Sequence, residues 1–221
     1  MISVKNLSLT IQDGRNNKEL FQNLNLCLNA GQKIAIMGKS GSGKTTLLKA
    51  LSGLIKTDKG TILFEGNDLR NMTANELSLH RLKNIGFIFQ DNPMIASKNI
   101  LDNIALPLKY LRLEKKMIEN KVHHLAEKLA IQDLLLEKPT FLSGGERQRA
   151  GIARALITEP KLILADEPTG SLDFETEAIV LDIFQKIKLI DTSFVMVTHD
   201  PAVANICDNV YTLNDKQLHI H

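Results

Sequence analysis

The sequence predicts an α/β fold with a mostly parallel central sheet, and three observations carry that reading. Short apolar runs of strand length recur along the chain, separated by segments with apolar residues at helical spacing. One run, "KIAIMG", stops at Gly38 and passes through a Gly/Ser-rich turn into a helical pattern. Another, "LILA", ends in Asp166-Glu167, where parallel strands of α/β sheets present side chains to ligands.

Taken in order, the first third is β-rich. "KNLSLTI" and "LFQNLNLCL" alternate, and "KIAIMG" reads as a short apolar strand. "KTTLLKALSGL" predicts a helix that opens at Gly43-Lys44 and ends near Gly53. "GTILFEG", bracketed by glycines, and "IGFIFQ" are further strands. From Ser97 to about Ala130 the period is helical: Ile100, Ile104 and Leu108 are spaced by four, and Val122, Leu125 and Leu129 continue a stripe. Pro107 predicts a bend or break there. Val180, Ile183, Phe184 and Ile187 predict a late helix, and "SFVMVTH" a late strand. The middle, about residues 91–158, reads as a helical subdomain inserted into a core built from residues 1–90 and 159–221.

Composition narrows the function classes. The 221 residues are 43% apolar and 24% charged, ordinary for a soluble domain. With 27 basic and 25 acidic residues the net charge is +2, so bulk charge makes no case for nucleic-acid binding, and none is expected. Cys27 and Cys207 lie outside any metal-like cluster and read as buried, reduced thiols. "MISVKNLSL" lacks the pattern of a signal peptide, and no apolar run approaches the ~20 residues that cross a bilayer. The expected location is cytosolic, with any membrane role supplied through a partner chain.

The residues from Gly38 to Thr45 fit G-x-x-x-x-G-K-[ST]. Glycines permit tight turns and close backbone approach, so several N–H groups converge on one phosphate chain. The helix from Lys44 adds its positive dipole end, Lys44 a mobile cation, and Thr45 a hydroxyl for Mg²⁺. A plain Gly/Ser turn is the competing reading, but the strand before and the helix after supply the context that phosphate binding needs. Asp166 is then the candidate anchor for Mg²⁺, and Glu167 can polarise a water for attack on a γ-phosphate. Alternation along the strand predicts that the two acids point differently. An Asp-Glu pair alone is as often a cap or a surface pair; beside a phosphate loop it gains weight. His199 after "SFVMVT" and Gln90 after "IGFIF" complete four strand-linked polar sites.

With these residues together, the chain resembles the ATP-binding cassette (ABC) ATPases, members of the P-loop NTPases, over nearly its whole length. The carriers are "GKSGSGKT", Gln90, "LSGGE" at Leu142–Glu146, "LILADE", "SLD" at Ser171–Asp173 and His199 in "VTHD", all in family order. The resemblance implies an antiparallel β subdomain beside the core, with ATP and Mg²⁺ as cofactors. It implies a cradle formed by Gly38, Lys39, Ser40, Gly41, Ser42, Gly43, Lys44, Thr45 and Thr46. Thr45, Gln90 and Asp166 would hold the metal, while Glu167, His199 and Gln90 would serve catalysis. Two copies would pack head to tail, with Ser143, Gly144 and Gly145 of one facing the γ-phosphate bound by the other. Such a subunit hydrolyses ATP on the cytoplasmic face of the cell (inner) membrane and drives an integral membrane permease subunit.

A finer resemblance, through "SGSGKTTLL", "DNIALPLKYL", "GERQR" and "LADEPTGSLD", is to lipoprotein-release and macrolide-export cassettes. Two departures stand out: Ser171 replaces the usual Asn, and Ile11 stands where an aromatic stacks on adenine. Phe21, the nearest aromatic, reads as core. A groove for a cytoplasmic helix of the permease is expected at Met94 and Ile95, in the loop before Ile100. The alternative function is a non-transport ABC ATPase acting on nucleic acid or ribosomes.

Overall fold

The computed structural model describes residues 1–14, 16–170, 172–186 and 192–220; the expectations for Ser171 and Ile187 lie outside the described residues. Strands β1 (Ile2–Asp13) and β2 (Asn16–Leu28) form a long antiparallel hairpin. With β4 (Lys59–Phe64) and β5 (Asn67–Asp68) they make a four-stranded antiparallel sheet, in the order β2-β1-β4-β5. The second sheet uses β3 (Lys33–Met37), β6 (Ile85–Ile88), β7 (Leu162–Asp166), β8 (Ser193–Val197), β9 (Asn209–Asn214) and β10 (Gln217–Ile220). Its order is β10-β9-β3-β8-β7-β6, all parallel except β10, as the mostly parallel expectation requires. The helices are α1 (Lys44–Leu51), α2 (Ala74–Asn84), α3 (Ile100–Tyr110), α4 (Lys115–Lys128), α5 (Gly144–Leu156), α6 (Phe174–Lys186) and the short α7 (Pro201–Ala204).

The parallel sheet separates two cores, and its strands read as unbroken apolar runs because both faces are covered. Leu162, Leu164, Val195 and Val197 face the core shared with the β1–β2 hairpin and α1. Their neighbours Ile163, Ala165, Phe194 and Met196 face the core that holds Ile100, Ile104, Val122, Ile152 and Phe184 from α3 to α6. Each Leu, Ile, Val, Phe or Met side chain so removed from water contributes about 1.5–3 kcal/mol. Lys33 is the exception in β3. It is buried, and its ammonium donates to the carbonyls of Phe184 and, at 3.4 Å, Gln185, where the C-terminal turn of α6 favours a cation.

Two helices and two cysteines differ from expectation. Pro107 does not break α3, which runs on to Tyr110. Ile104 and Leu108 on either side are buried, so tertiary packing outweighs the lost hydrogen bond. The helix α2 has no counterpart in the periodicity because none of its residues is buried. Its start is set instead by a capping box: the Glu76 N–H donates to Thr73 Oγ1 (3.3 Å) and the Thr73 N–H to Glu76 Oε2 (2.7 Å). Cys27 is exposed, since it lies between the buried Leu26 and Leu28 on an alternating strand. Cys207 is half-buried, and burial pushes its thiol up to about 12. Among the described residues, no helix is long and apolar enough to cross a membrane.

Candidate nucleotide-binding site

Strands β3, β8, β7 and β6 are adjacent and parallel, so their C-terminal ends share one edge. Ile36 pairs with Val197, Val197 with Asp166, and Ala165 with Ile88. Gly38, His199 and Gln90 each stand two residues beyond these rows, and Glu167 follows Asp166 directly. The four sequence-predicted sites therefore come together through strand register alone.

The phosphate loop is shaped by its surroundings. At Gly38, with φ 153°, a Cβ would lie 2.7 Å from the Leu213 carbonyl oxygen of β9. Helix α1 is entered through Gly43 at φ 102°, with no capping side chain and no acid in its first turn. Its first N–H groups and dipole end are thus left for an anion. Lys44 Nζ donates to the carbonyls of Gly38 (2.8 Å) and Lys39 (3.1 Å), while Lys18 Nζ donates to that of Gly41 (3.3 Å). The Ser42 hydroxyl is buried with no hydrogen-bond partner. Lys39, Ser40, Gly41 and Thr45 are exposed and Thr46 half-buried. These groups are donors and cations, the complement of a polyphosphate, which offers acceptors only. Ile11 is half-buried, and its cross-strand partner is Lys18, so the hairpin carries it to the side of this loop.

On the opposite flank, β7 ends at Asp166, and Glu167 sits in the left-handed region at φ 45°. A turn therefore sets the direction of Glu167, where strand alternation was expected to. The Glu167 N–H donates to the Val197 carbonyl (2.9 Å), and the Gly170 N–H to the Glu167 carbonyl (3.2 Å). Glu167 Oε2 lies 2.9 Å from His199 Nδ1; the glutamate is 19% exposed and the histidine 72%. A Cβ at Gly170 would lie 3.6 Å from both Gln90 Nε2 and Glu167 Cβ, which places Gln90 beside the same turn. The Thr45 hydroxyl, the Asp166 carboxylate and the Gln90 amide oxygen are hard oxygen donors, a set that suits Mg²⁺ completed by phosphate and water.

Ser143 caps α5, and Glu146 closes the capping box. The Ser143 N–H and hydroxyl both donate to Glu146 Oε2 at 2.8 Å, holding that carboxyl below the usual carboxylate range. The two glycines that follow differ. A Cβ at Gly144 would meet open space, whereas one at Gly145 would lie 2.4 Å from Thr176 Cγ2 of α6. Gly145 therefore has a packing role within its own chain. Sequence reasoning missed Thr176, Lys18, and the buried amides Asn92 and Gln148, since a polar residue whose partner lies on a distant segment carries no periodic signal.

Comparison with known proteins accords with this geometry. A family model described as "ABC transporter" matches residues 21–170. The lipoprotein-releasing system ATP-binding protein LolD of Pseudoalteromonas translucida (strain TAC 125) is 38% identical over 221 residues, covering 100% of this chain and 95% of that one. The bacitracin export ATP-binding protein BceA of Halalkalibacterium halodurans is 38% identical over 205 residues, covering 92% of this chain and 81% of that protein. A dimeric structure of the ATP-binding cassette MJ0796, in a post-hydrolysis state bound to ADP and Pi, superposes with a TM-score of 0.93 at 30% identity, over 100% of this chain and 98% of that one. The chain belongs to the ABC transporter family, as one of its ATP-hydrolysing cassettes.

Proposed function

We propose that this cassette binds ATP with Mg²⁺ at the shared strand edge, pairs head to tail with a second copy, and powers an integral membrane permease subunit. The observation that carries the reading is the meeting of the phosphate loop, Asp166-Glu167, His199 and Gln90 at the ends of four adjacent parallel strands. The relatives' names, lipoprotein release and bacitracin export, favour export or membrane extraction of a lipoprotein, peptide or drug-like molecule. They favour it over action on nucleic acid or ribosomes, and in this reading the work is done on the cytoplasmic face of the cell (inner) membrane. In this reading the whole chain is one cassette with its helical subdomain at about 91–158.

Each residue has a task in this proposal. The backbone from Gly38 to Thr46 cradles the phosphates, and Lys44 exchanges the Gly38 and Lys39 carbonyls for β- and γ-phosphate oxygens. Thr45, Asp166 and Gln90 would hold Mg²⁺, and the ion would supply positive charge to neutralise the phosphates. Glu167 takes a proton from the attacking water, and His199 holds its carboxylate in place. Ser143 and Gly144, with the backbone of Gly145, face the γ-phosphate held by the second copy. Ile11 offers the base apolar contact without stacking. Glu167→Gln tests the core of this: it keeps shape and loses the base. ATP binding should persist while turnover falls roughly 10²–10⁴-fold. ATP and Mg²⁺ should then hold a dimer visible as doubled mass in solution; near wild-type turnover would remove Glu167 from the role.

A further inference from the structure

Three segments of the site meet at a pair of buried amides outside it. Asn92 is 1% exposed and Gln148 3%. The Phe89 N–H donates to Asn92 Oδ1 at 3.2 Å, Asn92 Nδ2 donates to Gln148 Oε1, and Gln148 Nε2 donates to the Pro168 carbonyl. The chain has one direction. It begins at a backbone N–H and ends at a backbone carbonyl, so each amide must accept through oxygen and donate through nitrogen. Aligned amides polarise one another, and removing one leaves a buried partner unsatisfied.

The geometry around the pair is close-fitting. Asn92 lies in the left-handed region at φ 37°, which Asn tolerates better than most residues. A Cβ at Gly151 of α5 would lie 2.2 Å from Asn92 Cγ, so only glycine admits the amide there. Arg154, one turn on, donates to the Pro93 carbonyl at 2.7 Å and ties the same segment to the same helix. Phe89 and Asn92 flank Gln90; Gln148 is on the helix that Ser143 caps; Pro168 follows Glu167.

We propose that Asn92 and Gln148 are positioning residues for hydrolysis: their hydrogen-bonded chain fixes the turn at 167–170 against the Gln90 segment and α5. A shift of α5 would be transmitted to the Pro168 carbonyl, and so to the turn that carries Glu167. This rests on the reading of Glu167 as the group that activates water.

The test uses Gln148→Met, which fills the same space without donating, and Asn92→Asp, which keeps the left-handed turn and the acceptor but loses the donor. Both should bind ATP with KM within about twofold of wild type while kcat falls roughly 10–100-fold, the size of loss expected from a misplaced catalytic group. Amide hydrogen exchange should quicken at 167–170 and stay unchanged at 38–46. Unchanged kcat in both variants overturns the proposal. So does a loss of ATP binding in parallel with kcat, or exchange that rises equally at both segments, since either marks a general structural role. Glu167→Gln is assayed alongside. If it keeps turnover, the reading of Glu167 fails, and the amide pair is still judged by kcat, KM and exchange in its own variants.

Discussion

His80 stands edge-on to Phe64, ring centroids 4.5 Å apart, with Nδ1 3.2 Å from the Asn84 amide nitrogen. That amide donates, so Nδ1 accepts and the ring proton lies on the buried Nε2. Burial lowers the pKa of His80; Arg81 adds to the effect and Glu65 opposes it. A folded value below the unfolded one means that the unfolded chain binds the proton first as pH falls. Stability from this group is full above about 6.5 and is lost as pH drops through the folded value. The wild-type thermal midpoint should therefore fall more between about pH 7.5 and 5.5 than that of His80→Gln. An equal fall would mean the ring is not held neutral. None of this is legible in "NELSLHRLKN", where burial comes from a strand across the fold. Asp166 and Lys44 are legible because their local pattern already contains the chemistry: a strand end in one case, a glycine loop feeding a helix in the other. Glu167 was legible as a residue but not in its direction, which a left-handed turn decides.

At the scale of elements, the two capping boxes make a useful pair. Thr73-x-x-Glu76 and Ser143-x-x-Glu146 start α2 and α5 with the same four hydrogen-bonding groups. The periodicity points to neither box: the second lies in a segment whose glycines and serine carry the resemblance, and the first precedes a helix with no fully buried residue. Pro107 shows the opposite failure, a strong local signal overruled by packing in α3. Its ring removes the donor that would meet the Asn103 carbonyl. Pro107→Ala restores that bond in the helix, worth up to ~3 kcal/mol, against ~0.4–1 kcal/mol from a freer unfolded chain. The net expectation is a gain of roughly 1–2 kcal/mol in denaturant titration, with an unchanged slope. No gain would mean that the surroundings of α3 are fitted to the proline ring.

At the scale of the molecule, the parallel sheet is a wall between two cores, and period-2 alternation within "LILAD" and "SFVMV" shows which side chains face each. Strand order was not legible: that β8 lies between β3 and β7 depends on long-range pairing that no local pattern encodes. Beyond the wall, Ile95 is 39% exposed while Met94 packs partly against the helical core. Ile95→Glu is thus the cleaner probe of whether this loop faces a permease. It should leave the isolated subunit folded and binding ATP while weakening its co-purification with the membrane subunit; unchanged co-purification would place the docking surface elsewhere. The far end of the sheet has its own consequence. Leu213 braces Gly38, while Lys216 meets Glu19 at 2.7 Å and its carbonyl accepts from Gln22, so the last strands stitch both sheets to the phosphate loop. During synthesis the loop leaves the ribosome well before its brace, since Leu213 follows Gly38 by 175 residues (213 − 38). A phosphate loop braced by so distant a partner takes its shape from the tertiary fold and not from its own segment, so its geometry is lost with that of β9.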